Sequence, residues 1–313
     1  MTGFTVISPG VLSLLQDNGR LGQAALGLTT GGPMDAPSAA WANRLLGNPP
    51  NTTLVECSVG GLQLQANINS YIAVTGAVLN VSINGKAAEQ WTVHKVQQGD
   101  VIELGMVSQG LRAYLAVAGG FNITAQFGSS ATVLREKIGG LNGNKLQPND
   151  LLPCQAVNSL PTYQLPGAHR PRFNNIITLR LVEGYQVDSF SNTERQRFYL
   201  NSYTVTSQAD RMGYKLSGSA IQCQQSQLLS EGICYGAVQI PPDGQPIVLL
   251  NDRQTLGGYP KIGAVLSLDC ALLAQAPAGT RVYFTPISPQ HAHNALCLAK
   301  VYTDAIAGQL VSV

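Results

Sequence analysis

Turn-forming residues fall so often along this chain that few stretches are long enough for anything but short strands. Thirty-three glycines and seventeen prolines punctuate 313 residues. Between them lie runs rich in Val, Ile, Leu, Thr and Tyr: Phe4 to Ile7, Tyr71 to Val74, Val81 to Ile83, Val101 to Leu104, Arg112 to Val117, Ile176 to Leu181, Tyr203 to Thr206, Ala237 to Ile240, Ile247 to Leu250 and Arg281 to Thr285. β-Branched and aromatic side chains suit a pleated backbone, and glycine and proline end it. The pattern therefore predicts an all-β fold of sandwich or barrel type with a few short helices.

Three helices are expected. Asp35 caps one that begins near Pro37 and ends at Gly47. A second fits Leu268 to Gln275 and is stopped by Pro277. A third covers His291 to Ala307. The proline-rich stretch from Asn158 to Arg172 has no strand pattern and reads as a linker. The expected organisation is an N-terminal half over 1–157, a linker over 158–175, a C-terminal half over 176–290 and a tail over 291–313. Gln98-Gly99-Asp100-Val101, Pro148-Asn149-Asp150-Leu151 and Ala278-Gly279-Thr280-Arg281 share a form that suggests a repeated turn leading into a strand.

An apolar fraction of 44% allows a real core, while only 12% of residues are charged. So low a charge implies either a large core or a surface partly covered by another chain. The net charge of +2 and the absence of basic runs argue against nucleic acid as a partner. No apolar run reaches the ~20 residues of a membrane span, and the first ten residues lack a secretory pattern, so a cytoplasmic location is expected. Cys57, Cys154, Cys223, Cys234, Cys270 and Cys297 are widely spaced and read as free thiols rather than zinc ligands. His291 and His293 point to metal only faintly. There is no phosphate-binding P-loop motif and no Met-Lys biotin acceptor.

Three segments combine polar side chains with glycine. In Gln16-Asp17-Asn18-Gly19-Arg20-Leu21-Gly22, Arg20 either neutralises Asp17 across a turn or is held by it and aimed at an anion. Asp210-Arg211-Met212-Gly213-Tyr214-Lys215 is either a polar turn with an internal ion pair or a carboxylate or phosphate site. In the third, the strand Ile247 to Leu250 delivers Asn251-Asp252-Arg253-Gln254-Thr255 into Gly257-Gly258. Buried polar groups at a strand end need partners, and consecutive N–H groups around two glycines can form an anion-binding concavity.

These segments, with Ala42-Asn43-Arg44-Leu45-Leu46-Gly47-Asn48, Arg112-Ala113-Tyr114-Leu115-Ala116-Val117-Ala118-Gly119-Gly120, Pro242-Asp243-Gly244-Gln245-Pro246-Ile247 and Asp252 to Pro260, resemble one family. It is the biotin-dependent carboxyltransferase-like group, also called allophanate hydrolase subunit 2, whose stand-alone bacterial members are the C subunits of 5-oxoprolinase. The likeness runs from about residue 5 to residue 288. It departs at Gly128-Ser129-Ser130-Ala131-Thr132, where relatives often carry Arg or Cys in the middle, at Gly143-Asn144 in place of Gly-Arg, and at Lys215 in place of arginine.

The resemblance implies two cyclophilin-like β-barrel halves. It also implies A-type and B-type partner subunits, ATP used by the complex, no biotin on this chain, and a small anionic amide substrate. The implied reaction is ATP-dependent hydrolysis of 5-oxo-L-proline to L-glutamate, with the chain active only in the complex. Such a site must hold a carboxylate and a polarised carbonyl oxygen. Arg211 or Arg20 is expected at the carboxylate, and Gly257 and Gly258 are expected to supply N–H groups. Gln254, Thr255 and Tyr259 would orient substrate, with Lys261 as a second cation. Asp252 would act as base or fix Arg253. Two alternatives are a carboxyltransferase component of a biotin-dependent urea carboxylase-like system and a non-catalytic regulator that binds a kinase-inhibitor partner.

Overall fold

Strand accounts for 38% of the computed structural model and helix for 18%, so the chain is mainly β, as expected. The structure describes residues 2–224 and 229–312. Two compact units emerge. The first comprises 1–22, 31–172 and 305–313, and the second 23–30 and 173–304.

The first unit is a nine-stranded sheet that wraps as half a barrel, whereas the second closes fully. The sheet is built on two long strands, Ser70–Ile83 and Val101–Val117. The sequence pattern splits each of them in two. Gly76 marks the first split, but the strand runs through it as a bulge. Gly76 has φ +88°, and a Cβ there would lie 2.5 Å from the Arg112 carbonyl oxygen, so only glycine lets the neighbouring strand come this close. Val101–Val117 pairs near its start with Leu62–Ala66 and near its end with Leu54–Ser58. Phe4, Val6, Leu64, Val74, Leu115 and Val117 are among the residues buried on its inner face. The helix Ala36–Leu45 begins as expected, with the Asp35 carboxylate accepting from the Ser38 amide at 3.1 Å.

The second unit is a closed seven-stranded barrel. Its order is Ile176–Glu183, Lys261–Val265, Ala237–Gln239, Ile247–Leu249, Gly213–Gly218, Tyr203–Ala209 and Arg281–Pro286. The ring closes through the parallel pairing of Ile176–Glu183 with Arg281–Pro286. Leu179, Leu181, Tyr214, Leu216, Val238, Val248, Ile262 and Val282 are fully buried. A helix that the sequence pattern does not reveal, Asn192–Leu200, is capped by Ser191 and docks Phe198 on Phe284, ring centroids 4.4 Å apart. The other helices are Ser267–Ala274 and Pro289–Ala307, close to the expected spans.

The repeated turn is a real structural unit. Gly99, Asn149 and Gly279 all have φ between 70° and 95°. In each turn this residue's N–H donates to the carbonyl of a strand residue. The N–H of that strand residue donates back to the carbonyl of the following Asp or Thr. Gly99 and Asp100 exchange in this way with Ala66, Asn149 and Asp150 with Val6, and Gly279 and Thr280 with Val205, at 2.8–2.9 Å. The left-handed residue turns the chain and the exchange fixes its register, which explains why Gly or Asn precedes Asp or Thr.

Candidate functional site

The first polar cluster is spent on structure in the first unit. Asp17 and Arg20 do not bridge one another; both engage the loop Gln126 to Thr132. The Asp17 carboxylate accepts from the Gly19 amide (2.9 Å), the Ser129 hydroxyl (2.5 Å) and the Ser130 amide (2.7 Å). Arg20, 1% exposed, donates from Nε to the Gln126 carbonyl (3.0 Å) and from Nη2 to that of Ala131 (2.8 Å). This corrects its expected role: a guanidinium buried among carbonyls organises a loop and is not presented to a substrate carboxylate. At the departing position, Ser130 holds Asp17 through its amide (2.7 Å) and hydroxyl (3.1 Å).

Arg211 and Asp252 form a two-pronged buried ion pair, Nε to Oδ2 and Nη2 to Oδ1 both at 2.9 Å. The Asp252 amide also donates to the Arg211 carbonyl at 2.9 Å, and the Leu250 amide to that of Met212 at 2.8 Å. The pair therefore staples the turn after Tyr203–Ala209 to the end of Ile247–Leu249. Asp252 fixes Arg211, not Arg253 as expected. Arg253 donates to the carbonyls of Ile233 (3.1 Å) and Leu250 (3.2 Å) and lies over the Tyr235 ring. Lys215 pairs with Asp243 at 2.6 Å.

Gly257 and Gly258 do not form an anion-binding concavity, because neither takes the positive φ such a concavity uses. Gly257 instead pairs with Glu231 in a two-residue ladder, Glu231–Gly232 against Leu256–Gly257. A Cβ there would lie 2.5 Å from Ile233 Cδ1 and 3.0 Å from Gln239 Nε2, the free ends of two side chains. Gln254 and Thr255 are half-buried and Tyr259 is exposed.

The groups that do converge line a cleft of about 310 Å³ on the outside of the barrel. Its floor is the pairing of Lys261–Val265 with Ile176–Glu183. At Gly263 the two strands approach so closely that a Cβ would stand 2.3 Å from the Val182 carbonyl oxygen. Tyr185, Gln186, Glu231, Cys234 and Lys261 surround the opening. Glu231 is the hub. Its carboxylate receives the Lys261 ammonium, the Tyr185 hydroxyl and, at 2.6 Å, the Gln186 amide nitrogen. Gln186 returns its oxygen to the Lys261 backbone N–H at 2.8 Å. The Lys261 and Glu231 side chains are 12% and 32% exposed, so the pair is shielded yet reachable.

Of the residues expected at the site, Lys261 alone lines this cleft among the described residues. Gly257 reaches it indirectly, by anchoring the short ladder that carries Glu231. Sequence reasoning misses Tyr185, Gln186 and Glu231. Tyr185 and Gln186 follow a strand end before a turn, the same signal that singles out Asn251 to Thr255, so they were findable. Glu231 carries no such signal. No cluster of metal-binding side chains occurs among the described residues, and no helix among them is long and apolar enough to cross a membrane.

Comparison with known proteins gives a consistent picture. Residues 26–286 match the family model for the carboxyltransferase domain, subdomain A and B. The chain is 33% identical over 308 residues to the C subunit of 5-oxoprolinase from Escherichia coli, covering 97% of this chain and 98% of that one. Identity to the protein of the same name from Haemophilus influenzae is also 33%, over 93% and 94% of the two chains. The urea carboxylase structure from Kluyveromyces lactis superposes with a TM-score of 0.87 at 27% identity, covering 93% of this chain but 28% of that one.

Proposed function

Since this chain belongs to the family of carboxyltransferase domains built from subdomains A and B, we propose that it is the C-type subunit of an ATP-dependent 5-oxoprolinase. In this reading it joins A-type and B-type subunits in the cytoplasm and is active only with them. The complex hydrolyses 5-oxo-L-proline to L-glutamate. The observation that carries the proposal is end-to-end correspondence with a 5-oxoprolinase subunit: 97% of one chain against 98% of the other. Free thiols throughout suit a reducing compartment.

The cleft complements a small cyclic amide that bears a carboxylate. Glu231 is an acceptor for the ring N–H. The Gln186 amide and Tyr185 hydroxyl are donors for the ring carbonyl. Lys261 supplies the cation for the carboxylate. Ring opening requires water to add at the carbonyl carbon and the C–N bond to break, the proton lost by water ending on nitrogen. Glu231 is the carboxylate placed to carry it. The base role expected of Asp252 is assigned here to Glu231 because Glu231 lines the cleft and Asp252 does not. Arg211, Asp252, Gly257 and Gly258 then position the turn and ladder, and Gln254, Thr255 and Tyr259 flank it.

The donor set does not fit a nucleoside triphosphate. A triphosphate needs several cations or an anion nest, whereas the cleft is lined by a single lysine and no arginine, and the paired glycines take no positive φ. ATP used by the complex is therefore assigned to a site outside this cleft, and no step through it is placed here.

A second reading is supported by the likeness to urea carboxylase: a carboxyltransferase that works with biotin on another chain. Lys261 fits both readings, because carboxybiotin also carries a carboxylate, and the reaction catalysed separates them. Co-purified A-, B- and C-type subunits are expected to release glutamate from 5-oxo-L-proline only with ATP, and to leave urea and carboxybiotin unchanged. Turnover of carboxybiotin without glutamate release would replace the first reading with the second.

A further inference from the structure

The helix Pro289–Ala307 opens on Ser288, whose hydroxyl accepts from the His291 amide at 3.2 Å, and Pro289 stands in its first turn. Ala292, Ala295, Ala299 and Ile306 recur at helical spacing on its buried side. The opposite side carries His293, Cys297 and Val301, each one turn after the last and all exposed. No residue of this helix lines the cleft, and its chemistry is separate from the 5-oxoprolinase reading.

His293 Nε2 and Cys297 Sγ stand 3.6 Å apart. Four residues along a helix bring two side chains together on one face, but the separation itself carries more information. Zinc binds imidazole nitrogen at about 2.0–2.1 Å and thiolate sulfur at about 2.3 Å, so tetrahedral bond angles set the two ligand atoms about 3.6 Å apart. With the same bond lengths a right angle, as in a square-planar ion, sets them about 3.1 Å apart, and a linear arrangement about 4.3–4.4 Å. The observed separation is the tetrahedral one. Both side chains are exposed, so an ion reaches them from solvent without any opening of the fold.

We propose that His293 and Cys297 chelate a tetrahedral, borderline-soft divalent cation of the zinc class. Cys297 binds as thiolate, giving its proton to solvent, and His293 offers Nε2 as a neutral ligand. The ion thus takes the place of the proton between the two side chains. Among the described residues no group of three or more His, Cys, Asp or Glu side chains gathers, so this helix provides two of the four ligands and the other two positions are open to water. His291 takes no part. Its Nδ1 is engaged with the Ser288 hydroxyl at 3.1 Å, and a residue two positions before His293 lies on another face of the helix. The partner that gives His293 a metal-binding geometry is therefore Cys297 rather than the neighbouring histidine.

The test titrates the purified full chain, stripped with a chelator and kept reduced, with Co2+ as the spectroscopic stand-in for Zn2+. Thiolate-to-cobalt charge transfer in the near ultraviolet and the visible bands of tetrahedral cobalt are expected to saturate together at one ion per chain, and added Zn2+ is expected to abolish both. Cys297→Ser should remove the charge-transfer band. His293→Ala should weaken binding by about tenfold or more, because losing a ligand costs at least as much as losing the group that orients one. His291→Ala should bind as the unaltered chain does. All three positions are exposed, and equal thermal midpoints of the metal-free variants check that the fold is intact. Alkylation by iodoacetamide, located by peptide mass spectrometry, gives an independent reading: Zn2+ is expected to slow modification of Cys297 in the unaltered chain and not in His293→Ala. A charge-transfer band that survives in Cys297→Ser overturns the assignment, as does equal binding by His293→Ala and the unaltered chain, an octahedral cobalt spectrum, or no binding at all. Each of those results leaves the 5-oxoprolinase reading intact, since none involves the cleft.

Discussion

Removing either partner of the Arg211–Asp252 pair should destabilise the barrel far more than removing any exposed ion pair. The two residues are 6% and 5% exposed and meet through two hydrogen bonds of 2.9 Å. Arg211→Met and Asp252→Leu each remove one side of this buried two-pronged contact. Breaking a buried pair in this way costs about 3–5 kcal/mol. Such a loss is a substantial share of the roughly 5–15 kcal/mol by which a domain is stable. The double variant Arg211→Met/Asp252→Leu removes both charges and should recover at least half of the larger single loss. Urea unfolding read by far-UV circular dichroism, with hydrogen exchange over Gly213–Gly218, measures this in the right place. Tryptophan fluorescence does not, because Trp41 and Trp91 both lie in the first unit. Single losses below about 1 kcal/mol, the range of an exposed pair, or a double loss equal to their sum would refute the staple. Activity adds a second criterion. Asp252→Asn, assayed where it stays folded, should retain kcat within about tenfold; a collapse by the 10²- to 10⁴-fold typical of a lost general base would return Asp252 to the chemistry.

Gly257→Ala should cost no more than about 1 kcal/mol, since the methyl meets Ile233 Cδ1, the free end of a side chain, at 2.5 Å; a thermal melt showing a loss above about 3 kcal/mol would show that Ile233 cannot yield. Thiol titration at pH 8 should label the exposed Cys234 and Cys297 first. Burial pushes the Cys154 and Cys270 thiols up to about 12 and raises that of Cys57, so these three should react only on unfolding. Because Cys234 lines the cleft, 5-oxo-L-proline should slow its labelling in the complex but leave Cys297 unaffected. The hydrogen bond from Lys215 holds the Asp243 carboxyl below its ordinary value. A depressed carboxyl adds stability above its unfolded pKa of about 3.9 and loses it as pH falls through the folded value. The urea midpoints of Lys215→Met and the unaltered chain should therefore differ slightly at pH 7 and converge by pH 3, with the gap at pH 7 narrowed by salt.

The parts of this architecture legible in the sequence were those set by neighbours along the chain. Strand runs such as Ile176 to Leu181, the Asp35 cap and the Gly-Asp turn at Gly99 depend on a few adjacent residues, and each was recoverable. Gly76 misled because a glycine inside a strand and a glycine ending one are the same letter; only the close carbonyl of Arg112 tells them apart. The helix Asn192–Leu200 was hidden because its polar sequence buries a single residue, Phe198, leaving no apolar stripe to read.

The site follows the same division, with a lesson about polar groups at strand ends. Polar groups at a strand end require partners, and for Asp252, Arg253 and Lys261 in the span Asn251 to Lys261 those partners are internal. Asp252 finds Arg211, 41 residues away in sequence, and Arg253 finds the carbonyls of Ile233 and Leu250. No local pattern encodes those meetings. Glu231 becomes the hub of the cleft because Gly257 pairs with it. The demand for a partner thus marks structure as readily as a site: Asp252 and Arg253 are answered within the barrel, and Lys261 is answered by Glu231 in the cleft.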